Sequence, residues 1–272
     1  MTDPAALLRA FAAESTYRGL SPATTTRRLC TLRQLVAHAA PRHLFELDTR
    51  DLKLFLTRWP CASTRRNYRD DLAAFYRWAL VEGYHDADPA ERLGTVKVAT
   101  PGARPLPDAL IRALLATPDP DTRRMVYLAA YGGLRVAEIA QVRGEDIDRD
   151  GDMFQVRNGK GGKSRRIPLL PELGAELADV AAVGRLFPGA TGGMVSGRLK
   201  RLLRRHGYPH ARPHDLRHTF ASRVARRLGG DLVAVAQLLG HASMATTRRY
   251  VDSWMAEAGK LTGLYERHAD AA

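Results

Sequence analysis

Cysteine is nearly absent from the 272-residue chain, occurring only at Cys30 and Cys61. Neither lies in a metal-binding or redox spacing, so both read as packing residues of a protein kept in a reducing compartment. Long apolar runs are missing as well: no stretch approaches the ~18 residues of a membrane span. The N-terminal MTDPAALLRAFAAES has an early acid and no sustained apolar core, so it does not read as a signal peptide. These absences point to a cytoplasmic, nucleoid-associated protein with no membrane partner. Two cofactor motifs fail on inspection. Gly162-Lys163-Ser164 imitates the end of a phosphate-binding P-loop, but the required first glycine would fall at position 157, which is arginine. His214 and His218 are spaced like the histidines of a zinc-binding helix, yet Asp215 replaces the glutamate base and an arginine stands between them. No metal is expected.

Acidic residues are also in short supply, 29 against 42 lysines and arginines, which leaves a formal charge of +13 and a pI near 10.2. That balance, with arginine preferred over lysine, suits bidentate contacts to a polyanion, and nucleic acid is the leading partner. The excess is uneven. Residues 1–95 hold 14 basic and 11 acidic residues, net +3, while residues 96–272 hold 28 and 18, net +10.

The first region reads as four helices. One covers roughly Asp3 to Ser15. The next is capped by Ser21 with Pro22 at its first position, buries Leu29, Leu32, Leu35 and Val36, and leaves Arg27, Arg28 and Arg33 outside. A short third opens near Thr49 with Leu52, Phe55 and Leu56 inward. The fourth starts at Ser63 and carries Tyr68, Leu72, Phe75 and Ala79 on one face, with Trp78 beside them. Arg65, Arg66 and Arg69 sit near the start of that helix, where phosphate is already favoured. A solvated basic face is the plainer reading of such a run. Residues 94–105, rich in proline and glycine and without amphipathic period, read as a linker.

Beyond the linker, Leu106, Pro107 and Asp108 open a helix, and another spans Thr122 to Tyr131 before Gly132 and Gly133. Glu138 lies one helical turn from Arg135, close enough to pair with it or fix its rotamer. Alternating segments Met153 to Arg157 and Arg165 to Leu169 flank a glycine-rich centre and predict a β-hairpin. The chain is therefore mainly α with a small β-hairpin or sheet, an α+β protein. Pro213 opens a helix whose Leu216, Phe220, Val224 and Leu228 predict a buried stripe, with His214 and Arg217 projecting from another face, free to meet a ligand. Gly229 and Gly230 end it. Asp231 caps an apolar run from Leu232 to Leu239 that stops at Gly240, and Ser243 caps a last helical turn bearing Tyr250.

Phosphoryl transfer requires cationic hydrogen-bond donors, an in-line nucleophile and a proton source for the leaving oxygen. His214, Arg217, His241 and Tyr250 supply most of that set. Their pattern, H-x-L-R-H, then L-G-H, then a tyrosine nine residues later, resembles the C-terminal signature of the tyrosine recombinases, the phage-integrase family. The resemblance extends to Arg135 in G-L-R-x-x-E and to Lys160 in the G-K-G-x-K hairpin turn from Gly159 to Lys163.

The resemblance implies that Tyr250 attacks a scissile phosphate of double-stranded DNA and that Lys160 is the general acid, with Lys163 the runner-up and more naturally a phosphate contact. Arg135, Arg217, His214 and His241 would stabilise charge or carry protons, and no cofactor would be needed. It further implies a helical, SAM-like core-binding domain over residues 1–93, with Arg27, Arg28, Arg65, Arg66 and Arg69 as DNA contacts, and a catalytic domain over 106–272. The two would grip a duplex from opposite sides. An amphipathic helix carrying Trp254, Ala258, Leu261 and Tyr265 packs in cis by default; in the family such a helix docks on a neighbour, giving a homotetramer on DNA from a protein that is monomeric when free. Integration or excision of a phage or mobile element, with or without a directionality factor, is the first reading, and Xer-like chromosome dimer resolution the second. From other classes, a type IB topoisomerase would reseal the same strand, and a regulator would bind without cleaving.

Overall fold

The computed structural model describes residues 3–99, 104–157 and 164–240. The chain divides into two compact units, Met1–Thr100 and Pro101–Ala272.

The first unit contains α1 (Pro4–Tyr17), α2 (Pro22–Ala39), α3 (Thr49–Thr57) and α4 (Ala62–Val81). Local chemistry sets their starts. Asp3 accepts from the amides of Ala5 and Ala6, Ser21 from that of Thr24, and Asp48 from those of Arg50 and Asp51, so α1, α2 and α3 have first-turn donors satisfied by a side chain. Leu32, Leu35, Leu52, Phe55, Leu72 and Phe75 are wholly buried. Phe75 meets Phe11 edge to face at 5.5 Å and lies 5.8 Å from Trp78. Tyr76 donates its hydroxyl to the Leu44 carbonyl at 2.8 Å, which satisfies its one buried polar group.

One expectation fails here. Cys30 and Cys61 are exposed rather than packed. Cys30 falls on the side of α2 opposite Leu32 and Leu35, and Cys61 precedes α4 at its N-cap. Arg27 does remain outside, its side chain 42% exposed, while Arg28 is partly buried at 20%. Asp71, only 1% exposed, draws in the Arg27 guanidinium at 2.7 Å, the Thr31 hydroxyl at 2.9 Å and Arg28 at 3.8 Å.

In the second unit α5 (Asp108–Leu115) and α6 (Pro120–Ala130) lead to the one-turn helix α7 (Val136–Ile139). A three-stranded antiparallel sheet follows, ordered β1 (Ile147–Asp148), β2 (Met153–Val156) and β3 (Arg165–Pro168), with Val156 paired to Arg165 at the end of the hairpin next to its connecting loop. Then come α8 (Pro171–Glu176), α9 (Gly192–Arg205), α10 (Pro213–Arg227) and α11 (Leu232–Leu239). Ile111, Leu114, Val126, Leu128, Ile139, Phe154, Val195, Leu199 and Leu216 belong to one core. The helical content and small sheet are those expected for an α+β chain. Among the described residues no helix is long and apolar enough to cross a membrane.

α10 departs from its expected amphipathic form. Residues 216 to 222 are buried without interruption, whereas Leu228 is 40% exposed because it caps the helix instead of continuing its stripe. Gly133 explains how closely this helix approaches. Its φ is +64°, and a Cβ there would lie 2.3 Å from the Phe220 ring, so only glycine lets the turn after α6 pass against α10.

Candidate active site

The site grows from the Gly132-Gly133 turn. Arg135 is the N-cap of α7, and Glu138 reaches back to its amide at 2.8 Å and to its guanidinium at 2.7 Å. The pairing expected from their spacing is therefore present. Two more arginines share that carboxylate. Arg165, on β3, presents a fork whose two terminal nitrogens donate to the two Glu138 oxygens at 3.0 Å each. Arg217, on α10, comes within 3.9 Å.

Glu138 is 5% exposed. Burial on its own would raise its pKa, but the Arg165 hydrogen bonds and charge, followed by the bonds from Arg135, outweigh that and hold it at about 2. It stays ionised at any pH near neutrality. Three guanidiniums against one carboxylate still leave two formal positive charges in a poorly hydrated region, an arrangement that favours an incoming anion.

The same arginines grip the end of α11. Arg165 donates through Nε to the Leu238 carbonyl at 3.0 Å, Arg217 to that of Leu239, and Arg135 to that of Gly240 at 3.4 Å. These three consecutive carbonyls are ones that a helix leaves unsatisfied at its negative end. Gly240 closes the helix in the left-handed conformation, φ +60°. A Cβ there would stand 2.9 Å from Arg165 Cδ, so the residue before His241 must be small as well as left-handed.

Arg217 is thus not the surface guanidinium that the helix face suggested. It is 1% exposed and also donates to the Gly133 carbonyl. The buried run 216–222 of α10 takes it inside, where carbonyls and Glu138 compensate its charge. His214, on the first turn of α10, is exposed, and its ring meets that of His218 edge to face at 4.6 Å. An open groove of about 550 Å³ runs past Arg135 and His214, with Ser196, Lys200 and Arg212 along it.

Arg135, Arg217 and His214 are therefore gathered at one place. Lys160, Lys163, His241 and Tyr250 lie outside the described residues, as does the stretch from Trp254 to Tyr265 in which a helix is expected. In the first unit Arg66 is exposed near the start of α4, while Arg69 donates to the Gly94 carbonyl at 3.1 Å and to Asp70 at 3.0 Å. Sequence reasoning missed Arg165, Lys200 and Arg212. A signal for Arg165 was available: period-two alternation puts it on the same side of β3 as buried Ile167, where an arginine needs an anion.

Residues 106–257 match the model of the phage integrase family. The tyrosine recombinase XerD of Ralstonia nicotianae is 35% identical over 212 residues, covering 70% of this chain and 68% of that protein. XerC of Methylobacterium nodulans is 38% identical over 262 residues, 82% and 80% of the two chains. In structure the chain is similar to a lambda integrase dimer bound to a COC′ core site, with a TM-score of 0.75 at 18% identity over 90% of this chain and 94% of that one. It is also similar to a lambda integrase tetramer bound to a Holliday junction, with a TM-score of 0.71 at 19% identity over 89% and 78%. Fold and sequence together define a site-specific recombinase. The chain belongs to the phage integrase family of tyrosine recombinases.

Proposed function

We propose that the chain breaks and rejoins DNA strands at specific duplex sites through a 3′-phosphotyrosine intermediate. The Tyr250 oxygen attacks the scissile phosphorus and loses its proton; the bond to the 5′ oxygen breaks, and Lys160 supplies the proton that makes that oxygen a hydroxyl. A 5′ hydroxyl from a second duplex then attacks the phosphotyrosine, and Tyr250 recovers its proton. One phosphodiester replaces another, so the balance needs no nucleotide or oxidant. Arg135 and Arg217 neutralise the equatorial oxygens in the transition state, with His214 and His241 as further donors, and the protein's own cations carry the charge.

One observation carries this reading: Arg135 and Arg217, 82 positions apart in the sequence, converge on Glu138, and the groove beside them is open at Arg135 and His214. Arg65, Arg66 and Arg69 of the helical unit hold the duplex through its phosphates, with Lys163 contacting the backbone near the site, and the helix after Tyr250 links four protomers. Between the two biological readings, similarity to XerC and XerD at 35–38% identity favours Xer-like resolution over mobile-element integration.

The test begins with selection of bound duplexes from a random pool. A selected duplex, nicked beside the cleavage position, should trap wild-type protein covalently, and Tyr250→Phe should bind it equally but form no adduct. Binding by wild type without any adduct would leave only the regulator reading.

A further inference from the structure

Arg165 has no part in the chemistry set out above, yet it is the best-anchored cation of the cluster. Its two terminal nitrogens hold both Glu138 oxygens, its Nε holds the Leu238 carbonyl, and its side chain is 8% exposed. With all three nitrogens engaged and so little surface, it is poorly placed to take a phosphate. Its position in the chain is what gives it consequence. Arg165 is the first residue of β3 and pairs with Val156 across the hairpin, so the backbone leaving this pair is the loop that contains Lys160, five residues upstream. Glu138, in turn, fixes Arg135.

We propose that Arg165 is a positioning residue, tying the base of the lysine hairpin to the carboxylate that orients Arg135 and so setting the leaving-group acid in register with the phosphate clamp. This rests on the recombinase reading, with Lys160 as the acid. The geometry is demanding, because a planar fork satisfies two carboxylate oxygens while its third nitrogen meets a carbonyl on a different element. Lysine at 165 keeps the charge but has a single nitrogen, so it cannot hold Glu138 on both oxygens and Leu238 at once. Gly240 is consistent with the same demand, since its missing Cβ leaves room for the Arg165 stem.

The experiment compares wild type, Arg165→Lys and Lys160→Ala as full-length proteins on two selected, nicked duplexes. One carries an ordinary scissile phosphate; the other has sulfur in place of the 5′ bridging oxygen, a leaving group that departs without protonation. Arg165→Lys is expected to slow adduct formation about 10²-fold on the ordinary duplex and less than about 3-fold on the sulfur duplex, in parallel with Lys160→Ala, because loss of a general acid costs ~10² or more. Equal slowing on both duplexes would overturn the proposal, since a general loss of folding or of phosphate binding does not depend on the leaving atom. Amide exchange reads the anchor without catalysis. In Arg165→Lys, peptides covering β3 and α11 should exchange at least about tenfold faster while those of α9 are unchanged, which corresponds to weakening local protection by the scale of a charged hydrogen bond; unchanged exchange at β3 would also overturn it. If wild type forms no adduct on either duplex, the recombinase reading falls, and exchange alone decides the anchoring.

Discussion

Replacing Glu138 with glutamine tests the electrostatic argument most directly. The carboxylate accepts from the Arg135 amide at 2.8 Å, the Arg135 guanidinium at 2.7 Å and the Arg165 fork twice at 3.0 Å, with Arg217 at 3.9 Å. Glutamine keeps the shape, removes the charge and turns one acceptor into a donor facing guanidinium donors. Two routes give its cost. The gap between about 2 and the ordinary 4.5 for Glu138, at about 1.4 kcal/mol per pH unit, is worth about 3 kcal/mol. Breaking a buried ion pair from one side costs about 3–5 kcal/mol. Because the folded pKa is depressed, this stabilisation is complete above the unfolded value and is lost as pH falls through 4.5 toward 2. The difference between wild type and Glu138→Gln should therefore be about 3–5 kcal/mol at pH 7 and about 2 kcal/mol smaller at pH 3. Urea titration, read by amide exchange in peptides of α6 and α10, isolates the second unit. A difference below about 1 kcal/mol at pH 7, or one that does not shrink in acid, would refute the reasoning.

Gly240→Ala should destabilise α11 by about 1–2 kcal/mol, from a left-handed backbone together with a clash at Arg165 Cδ; exchange of the α11 amides measures it. Asp71→Asn should cost the first unit no more than about 1 kcal/mol, because burial raises the Asp71 pKa against the pull of Arg27 and Arg28 and Arg27 keeps its access to water; the Trp59 and Trp78 fluorescence of the unfolding transition would report it. Arg66→Ala, at an exposed position near the start of α4, should leave stability unchanged and lower the slope of log binding constant against log salt by about 1. An unchanged slope would remove Arg66 from the DNA contacts.

The parts of the fold legible in the sequence are those that local chemistry decides. Ser21-Pro22 announces α2, Asp231 and Gly240 bracket α11, and alternating residues mark β2 and β3; each signal lies within a few positions of its effect. The stretch 170–212 carries α8 and α9, which sequence pattern alone did not assign. α9 opens on two glycines and is rich in arginine, so its buried Val195, Leu199, Leu202 and Leu203 are easily read past. Burial of Arg217 was not legible either. A helix face can be told from spacing, but whether a second layer covers that face depends on Gly133 and α11, 84 residues before and 22 after in the hydrogen-bond partners. The cysteines failed for the opposite reason: residue type suggested packing, and position on the helix decided against it.

The arrangement around Glu138 also bears on why the signature residues occur with such fixed spacing. A guanidinium that must meet a phosphate cannot be held by that phosphate before it arrives, so something else must orient it. Here the orienting groups are one carboxylate and the carbonyls of Leu238, Leu239 and Gly240 at the end of α11. Each arginine is thereby anchored without substrate, and the surplus of positive charge remains for the anion. The cost is that four separate segments, the Gly133 turn, β3, α10 and α11, must meet at one place, with Arg165 joining β3 to a carboxylate that holds Arg135 through its own bonds. Loss of Arg165 should then act like loss of a joint rather than loss of a charge, and this is what separates lysine at 165, which keeps the charge, from a neutral residue that loses both. If the two variants were equally impaired on the ordinary duplex and equally recovered on the sulfur duplex, geometry and not charge would be the property that Arg165 supplies.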